Sequence, residues 1–469
     1  MQELLFGSAT AMAAAIRARD VSVVEVVEAH IARIEAVNAS LNAVVQTAFE
    51  RAREEAVLAD AALKSRHAVG PLHGVPITLK DSIDTEGIIT TYGTWGRRKM
   101  IPMCDATVAA RLRAAGAIVL GKTNTPEFTL GGEIDNPVYG KTFNPYRLTH
   151  SPGSSSGGAA AIVAAGGAAL DLGSDTGGSI REPANMCGLA GIKPTAGRVS
   201  RMGHAIPFGC GAGDMLTTIG PLARSVDDLE LSLELIAGPD GIDYTVVPMA
   251  WRESTDIRPA NLRIAMYTDG GLCPINPAIE TAIHNAAAVF ANEGAIITEA
   301  TPPALNRAAR LHRWLSYAEQ AQYLWQEIKK AGTAEAEIGP NLNSVLEAAK
   351  AADMPNMTTI LTEFASVRTD AWQWMQAYDA ILCPIEPYVA LPHGQVLTFD
   401  ADMLAGWAHM GFYNITGWPA GVVRVGTTED GLPVGVQIVG KPWREDVVLA
   451  LMRVLEQAFG YQRPVSAAS

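Results

Sequence analysis

The chain has 469 residues, 48% of them hydrophobic and 18% charged, enough for one large α/β domain or two to three average ones with a sizeable core. The 36 basic and 49 acidic side chains give a formal charge of −13, which argues against a non-specific nucleic-acid surface and points to a small-molecule partner. No apolar run reaches the roughly 18 residues needed to span a bilayer, and the first residues lack the basic region and apolar core of a signal peptide, so the expectation is a cytoplasmic protein with no membrane partner.

The N-terminal stretch, residues 1–65, reads as a helical lead-in. Ser22 and Glu25 form a capping box before VVEVVEAHIARIEAV, and a second amphipathic run covers Ala43 to Leu63. From Gly70 strand and helix signals alternate: VPITL (Val75 to Leu79), a helix opened by Asp105, AIVLGK (Ala117 to Lys122), a helix through GGAAAIVAAGG, then AALDLGSD. That order implies a largely parallel, helix-covered sheet. LRIAMYT reads as a strand, Asn276 and Pro277 as the start of a helix ending near Gly294, and AIITEA as another strand. Residues 302–379 are mainly helical, an insertion expected to cover a pocket; its Trp314, Tyr317, Tyr323 and Trp325 could line that pocket, but helical core packing is the better explanation of them. YDAILCP, AGVVRVG and LPVGVQIVG return to strand, the last two joined through Asp430-Gly431 as a hairpin, and a helix from Glu445 to Phe459 closes the chain. Sheet signals on both sides of the insertion argue for one domain spanning 1–469, with a core over 70–300 and completing elements over 380–469.

The five cysteines (Cys104, Cys187, Cys210, Cys273, Cys383) are scattered without a C-x-x-C pair, and the nine histidines include no H-x-x-x-H. Neither a disulfide framework nor a metal site is expected, and no cofactor.

Two short loops stand out: SPGSSSGGAAA, from Ser151, and GSDTGGSIREP, from Gly173. Glycine lets the main chain approach a bound group closely, so such loops are either flexible connectors or places where backbone N–H groups grip something. Here they bracket the apolar segment AAAIVAAGGAALDL, which ties both to the ends of core elements. Gly153-x-Ser155-x-Gly157 matches a nucleophile elbow, but that motif must directly follow a strand and NPYRLTHSP has no apolar run. Asp175-Thr176-Gly177 looks like an aspartic-protease triplet, yet no second copy exists to pair with it.

The segment from Gly153 to Gly197 closely resembles the amidase signature family, and the resemblance continues through GPLHGVPITLKDSID, GKTNTPEF, GPLARSVDD and GLPVGVQIVGKP. It implies a three-layer α/β/α fold with a central mixed, mostly parallel twisted sheet. It also implies a catalytic lysine at Lys80, a bridging serine on a cis peptide at Ser155, and a nucleophile at Ser179. Ser156 is implied as a support of the relay by hydrogen bonding, and Arg181 as a brace of the loop.

These assignments are physically coherent. A serine hydroxyl needs a base to take its proton, and lysine serves near neutrality only if burial disfavours its charged form. The apolar strand VPITL would deliver Lys80 into such a site. Thr176, Gly177, Gly178 and Ser179 supply consecutive N–H groups for an oxyanion hole. Cys187, inside the signature, is expected to be an inert buried thiol. Tyr92 and Trp95, in TTYGTWG soon after Lys80, are pocket candidates. The resemblance implies hydrolysis of a C–N acyl bond, and an insertion rich in Ala, Trp and Tyr suggests an apolar or aromatic amide or carbamate substrate, with the enzyme a monomer or homodimer. The competing expectation is a glutaminase subunit of a tRNA-dependent amidotransferase. GRVSRMG resembles it, but GAGDMLTTIGP stands where S-x-D-Q-x-G-P is expected.

Overall fold

The computed structural model describes residues 2–65, 68–206, 208–209, 215–315, 320–395 and 405–464. Cys210 and Tyr317 therefore lie outside the described residues, as does the side chain of Tyr323.

Eleven strands form one sheet: β1 (Val44–Thr47), β2 (Pro76–Lys80), β3 (Ile118–Thr123), β4 (Leu170–Asp175), β5 (Ala190–Lys193), β6 (Thr218–Ala223), β7 (Arg263–Met266), β8 (Ile296–Glu299), β9 (Ala380–Cys383), β10 (Ala420–Thr427) and β11 (Pro433–Gly440). Their spatial order is β1-β3-β2-β4-β6-β5-β10-β11-β9-β7-β8, so strands from before and after the helical stretch 302–379 share the sheet. The helices Gly157–Ala164, Val226–Ile236, Pro277–Asn292 and Glu445–Phe459 pack against it, as the α/β reading requires. The sheet is mixed, but the expected parallel majority is corrected. Parallel pairing is confined to β2 with β3 and β4, and to β7 with β8 and β9. The other six pairings are antiparallel, because β4, β6 and β5 run as successive antiparallel neighbours and the β10–β11 hairpin fills the centre.

Local signals explain most boundaries. Ser22 Oγ accepts from Glu25 N–H while Ser22 N–H donates to the Glu25 carboxylate, which starts the helix Val23–Leu41. The run from Ala43 to Leu63, expected as one helix, divides into β1 and the helix Phe49–Lys64. Asn42 ends the preceding helix in the left-handed region at φ 48°, and Val44 and Val45 suit the edge position beside β3. Asp105 does not cap the helix Thr107–Ala114; its carboxylate accepts from Glu86 N–H and pairs with Arg113. The Asp430-Gly431 turn joins β10 to β11, with Gly431 at φ 90°.

Every residue of β2 is buried, as expected of a strand covered on both faces. Trp314 and Trp325 pack beside buried clusters, in keeping with a core role for these two side chains. No helix among the described residues is long and apolar enough to cross a membrane.

Candidate active site

The apolar run of β2 ends on a charged residue, and Lys80 is carried by that strand into the interior with no exposed surface. Its Nζ lies 2.7 Å from Ser155 Oγ, 3.0 Å from Ser156 Oγ and 3.1 Å from Ser174 Oγ. Burial pushes its pKa from the ordinary lysine value down to about 7, against the pull of the Asp175 and Asp171 carboxylates. A lysine in this state can hold or release a proton near neutrality, onto or from hydroxyls already in contact.

The SPGSSSGG loop leads into the helix Gly157–Ala164, and Ser154-Ser155 is a cis peptide bond. This loop also meets the second one: Ser156 N–H donates to the Ser179 carbonyl oxygen at 3.2 Å. The backbone of Ser179 is thus joined to the serine loop, and its residue is half-buried while Ser155 and Ser156 are buried. Lys80, Ser155 and Ser156 form one hydrogen-bonded cluster, with Ser179 tied to it through the main chain.

The second loop hangs on one ion pair. Asp175, the last residue of β4, and Arg181 are both fully buried and 2.9 Å apart. Arg181 donates through Nε and Nη2 to Asp175, through Nη1 to Met410 O and Gln437 Oε1, and through Nη2 to Asn414 Oδ1. All five guanidinium N–H groups are engaged, which leaves none for a substrate. Asp175 also accepts from Gly178 N–H, Ile180 N–H and Asn414 Nδ2. Burial works against its charge, but Arg181, Asn414 and Lys193 outweigh it and hold the carboxyl well below the usual carboxylate range. One expectation changes here: the Gly178 N–H, anticipated as an oxyanion donor, is committed to Asp175 at 2.8 Å. Thr176, Gly177 and Ser179 remain.

Tyr92, expected as a pocket candidate, sits in a packed, buried position. It lies in a buried cluster with Phe128, Leu324 and Leu342, its hydroxyl donates to Asp84 at 2.8 Å, and the Arg97 guanidinium covers its ring. Trp95 is half-buried, with Arg98 over its ring. Cys187 is buried, and burial pushes its thiol up, away from reactive thiolate.

Several members of the site escaped the sequence reading. Ser174 completes the lysine's hydrogen bonds from within GSDTGGSIREP, and its place one residue before Asp175 was the available signal. Asp175 had been noticed only as part of a false motif. Asn414, His312 and Trp407 come from distant segments and carried no pattern. His312 meets the Thr176 carbonyl and Trp407 the Gly177 carbonyl.

Comparison with known proteins follows the same lines. The Amidase family model matches residues 25–449. An acylamidase of Rhodococcus erythropolis is 35% identical over 472 aligned positions, covering 96% of this chain and 94% of that protein. A glutamyl-tRNA(Gln) amidotransferase subunit of Chloroflexus aurantiacus is 35% identical over 476 positions, with 96% of each covered. Among solved structures, 6-aminohexanoate cyclic dimer hydrolase superposes with a TM-score of 0.88 at 29% identity over 99% of both chains. A bacterial aryl acylamidase of the amidase signature enzymes superposes with a TM-score of 0.87 at 26% identity, again over 99% of both.

Proposed function

This chain belongs to the amidase signature family of C–N hydrolases, and on that premise we propose that it cleaves its substrate through an acyl-enzyme on Ser179, activated by Ser155 and Lys80. The observation that carries this reading is the 2.7 Å contact between a fully buried Lys80 and Ser155 Oγ, made by an amine whose pKa is about 7.

Neutral Lys80 takes the Ser155 hydroxyl proton as Ser155 Oγ takes that of Ser179, and Ser179 Oγ bonds to the acyl carbon. The carbonyl oxygen becomes an oxyanion, received by the N–H groups of Thr176, Gly177 and Ser179. Collapse breaks the C–N bond, with the proton returned through Ser155 to the leaving nitrogen. Water then attacks the ester, giving its proton to the same relay, and releases the acid and free Ser179. Ser156 supports the relay through its hydrogen bond to Lys80, and Arg181 braces the loop through Asp175.

The substrate we assign is a small apolar or aromatic amide, anilide or carbamate (urethane), with activated esters as further substrates. Support comes from the acylamidase and aryl acylamidase relatives and from the aromatic-rich helices within 302–379, which we place as the cover of the substrate pocket, with Trp95 at its edge. The second reading, a glutaminase subunit of a tRNA-dependent amidotransferase, is favoured by the Chloroflexus relative. GAGDMLTTIGP weighs against it. A panel of para-nitroanilides, primary amides, carbamates, esters and glutamine decides between them. Isolated chain active on an aryl amide supports the first reading; glutaminase activity appearing only with co-purifying subunits supports the second. Ser179→Ala should reduce turnover by about four orders of magnitude or more, and full retained activity would show that the nucleophile lies elsewhere.

A further inference from the structure

The glycine turn that offers the anion-binding N–H groups is gripped on its carbonyl side by two rings from distant parts of the chain. His312 Nε2 lies 2.7 Å from the Thr176 carbonyl oxygen, and Trp407 Nε1–H donates to the Gly177 carbonyl oxygen at 2.5 Å. A carbonyl oxygen only accepts, so His312 is the donor through its Nε2–H tautomer. Burial pushes its pKa down to about 4, which keeps the ring a neutral donor across the physiological range.

In a planar trans peptide the carbonyl and the following N–H point to opposite sides. A donor fixed on the Thr176 oxygen therefore aims the Gly177 N–H away from His312 and polarises it. The next peptide unit is pinned at both ends: Trp407 holds the Gly177 oxygen while Asp175 takes the Gly178 N–H. The rings touch each other, with centroids 4.6 Å apart at 62°. They also press on the turn, since a Cβ at Gly177 would stand 2.8 Å from Trp407 Cζ2 and 2.9 Å from His312 Cε1. The helix Leu305–Trp314 buries Leu305, Ala308 and Leu311 with His312, so a packed face delivers the imidazole.

We infer that His312, with Trp407 beside it, is a positioning residue for the oxyanion hole: the pair orients the Gly177 N–H toward the developing oxyanion and governs turnover rather than substrate affinity. The inference rests on the proposed role of the Thr176–Ser179 turn.

On a para-nitroanilide, His312→Leu should lower kcat about ten- to a hundredfold, less than outright deletion of a donor, while KM stays within about threefold. His312→Gln, which restores an N–H donor, should recover much of that loss, and Trp407→Phe should show a smaller decrease of the same kind. A trifluoromethyl ketone, whose serine adduct carries the oxyanion, should lose affinity in step with kcat/KM, while the product aniline binds as before. A folded His312→Leu with native kcat, or ketone affinity that does not follow kcat/KM, overturns the inference. If His312→Leu does not fold, Trp407→Phe decides by the same criteria, since it deletes one donor and keeps an aromatic ring. Ser179→Ala in the same series separates the two levels. Dead Ser179→Ala beside native-like ring variants removes only the positioning role, whereas active Ser179→Ala removes the serine chemistry itself.

Discussion

Two buried ionisable sites meet around β4, and burial has opposite outcomes in them. At the Asp175–Arg181 pair, neither side chain has exposed surface, and charge is retained because every guanidinium N–H and both carboxylate oxygens are bonded. Lys80 is as dry, but its hydrogen-bond partners among the described residues are three hydroxyls, and its pKa falls to about 7. Depth alone does not decide whether a buried group keeps its charge; the supply of compensating charge-assisted hydrogen bonds does. The saturated pair becomes a rigid frame, while the under-compensated amine becomes a group able to move a proton.

The largest effect should come from breaking the frame. Arg181→Met leaves Asp175 buried without its counter-charge and should cost about 3–5 kcal/mol of stability in urea denaturation. Adding Asp175→Asn to that variant should recover part of the loss, because the unpaired charge is then gone. A loss under about 1 kcal/mol in Arg181→Met would mean that the pair is not what holds the loop.

The reactive half is read by pH. In the proposed relay Lys80 must be neutral to accept a proton, and its lowered pKa makes the free amine available from about 7 upward. The kcat/KM should therefore fall about tenfold for each pH unit below 7 and level off above it. The neighbouring charges act in a known sense. Asp175 and Asp171 raise the lysine's pKa, and Asp171 is itself pushed by burial to about 7. Nearby His204 is held to about 3, chiefly by burial, and stays neutral. An acidic limb near pH 10 would mean that the amine is hydrated, and the contrast between the two sites would vanish.

The difference between the regions also explains what could be read in advance. Lys80, Ser155, Ser156 and Arg181 lie within short, tightly spaced motifs, where local backbone geometry and chemistry coincide. The bond from Tyr92 to Asp84, eight residues earlier, has no local signal in TTYGTWG. Asn414, His312 and Trp407 reach the second loop from more than 130 residues away. A lone polar residue on a helix face looks the same whether it meets solvent or a carbonyl. The sheet shows the same limit: alternating strands and helices identify the α/β class, but nothing local dictates that β6 should pass antiparallel between β4 and β5. The hairpin and the capped helices were legible because their determinants are two to four residues apart.

The smallest effect should separate the three hydroxyls around the amine. Ser156 Oγ is fully buried, accepts from Lys80 at 3.0 Å and donates to the Ser174 carbonyl at 3.4 Å. Removing it with Ser156→Ala deletes one acceptor of three and should cost about 1 kcal/mol of site energy, a loss of about fivefold in kcat/KM. The sign of the accompanying pH change is fixed: an acceptor favours the protonated amine, so its removal lowers the pKa of Lys80 and moves the acidic limb to lower pH. A residue that only filled space would leave that limb in place. A displacement toward higher pH would require that Ser156 had been favouring the neutral amine, and Lys80 would then owe its low pKa to its neighbours as well as to burial.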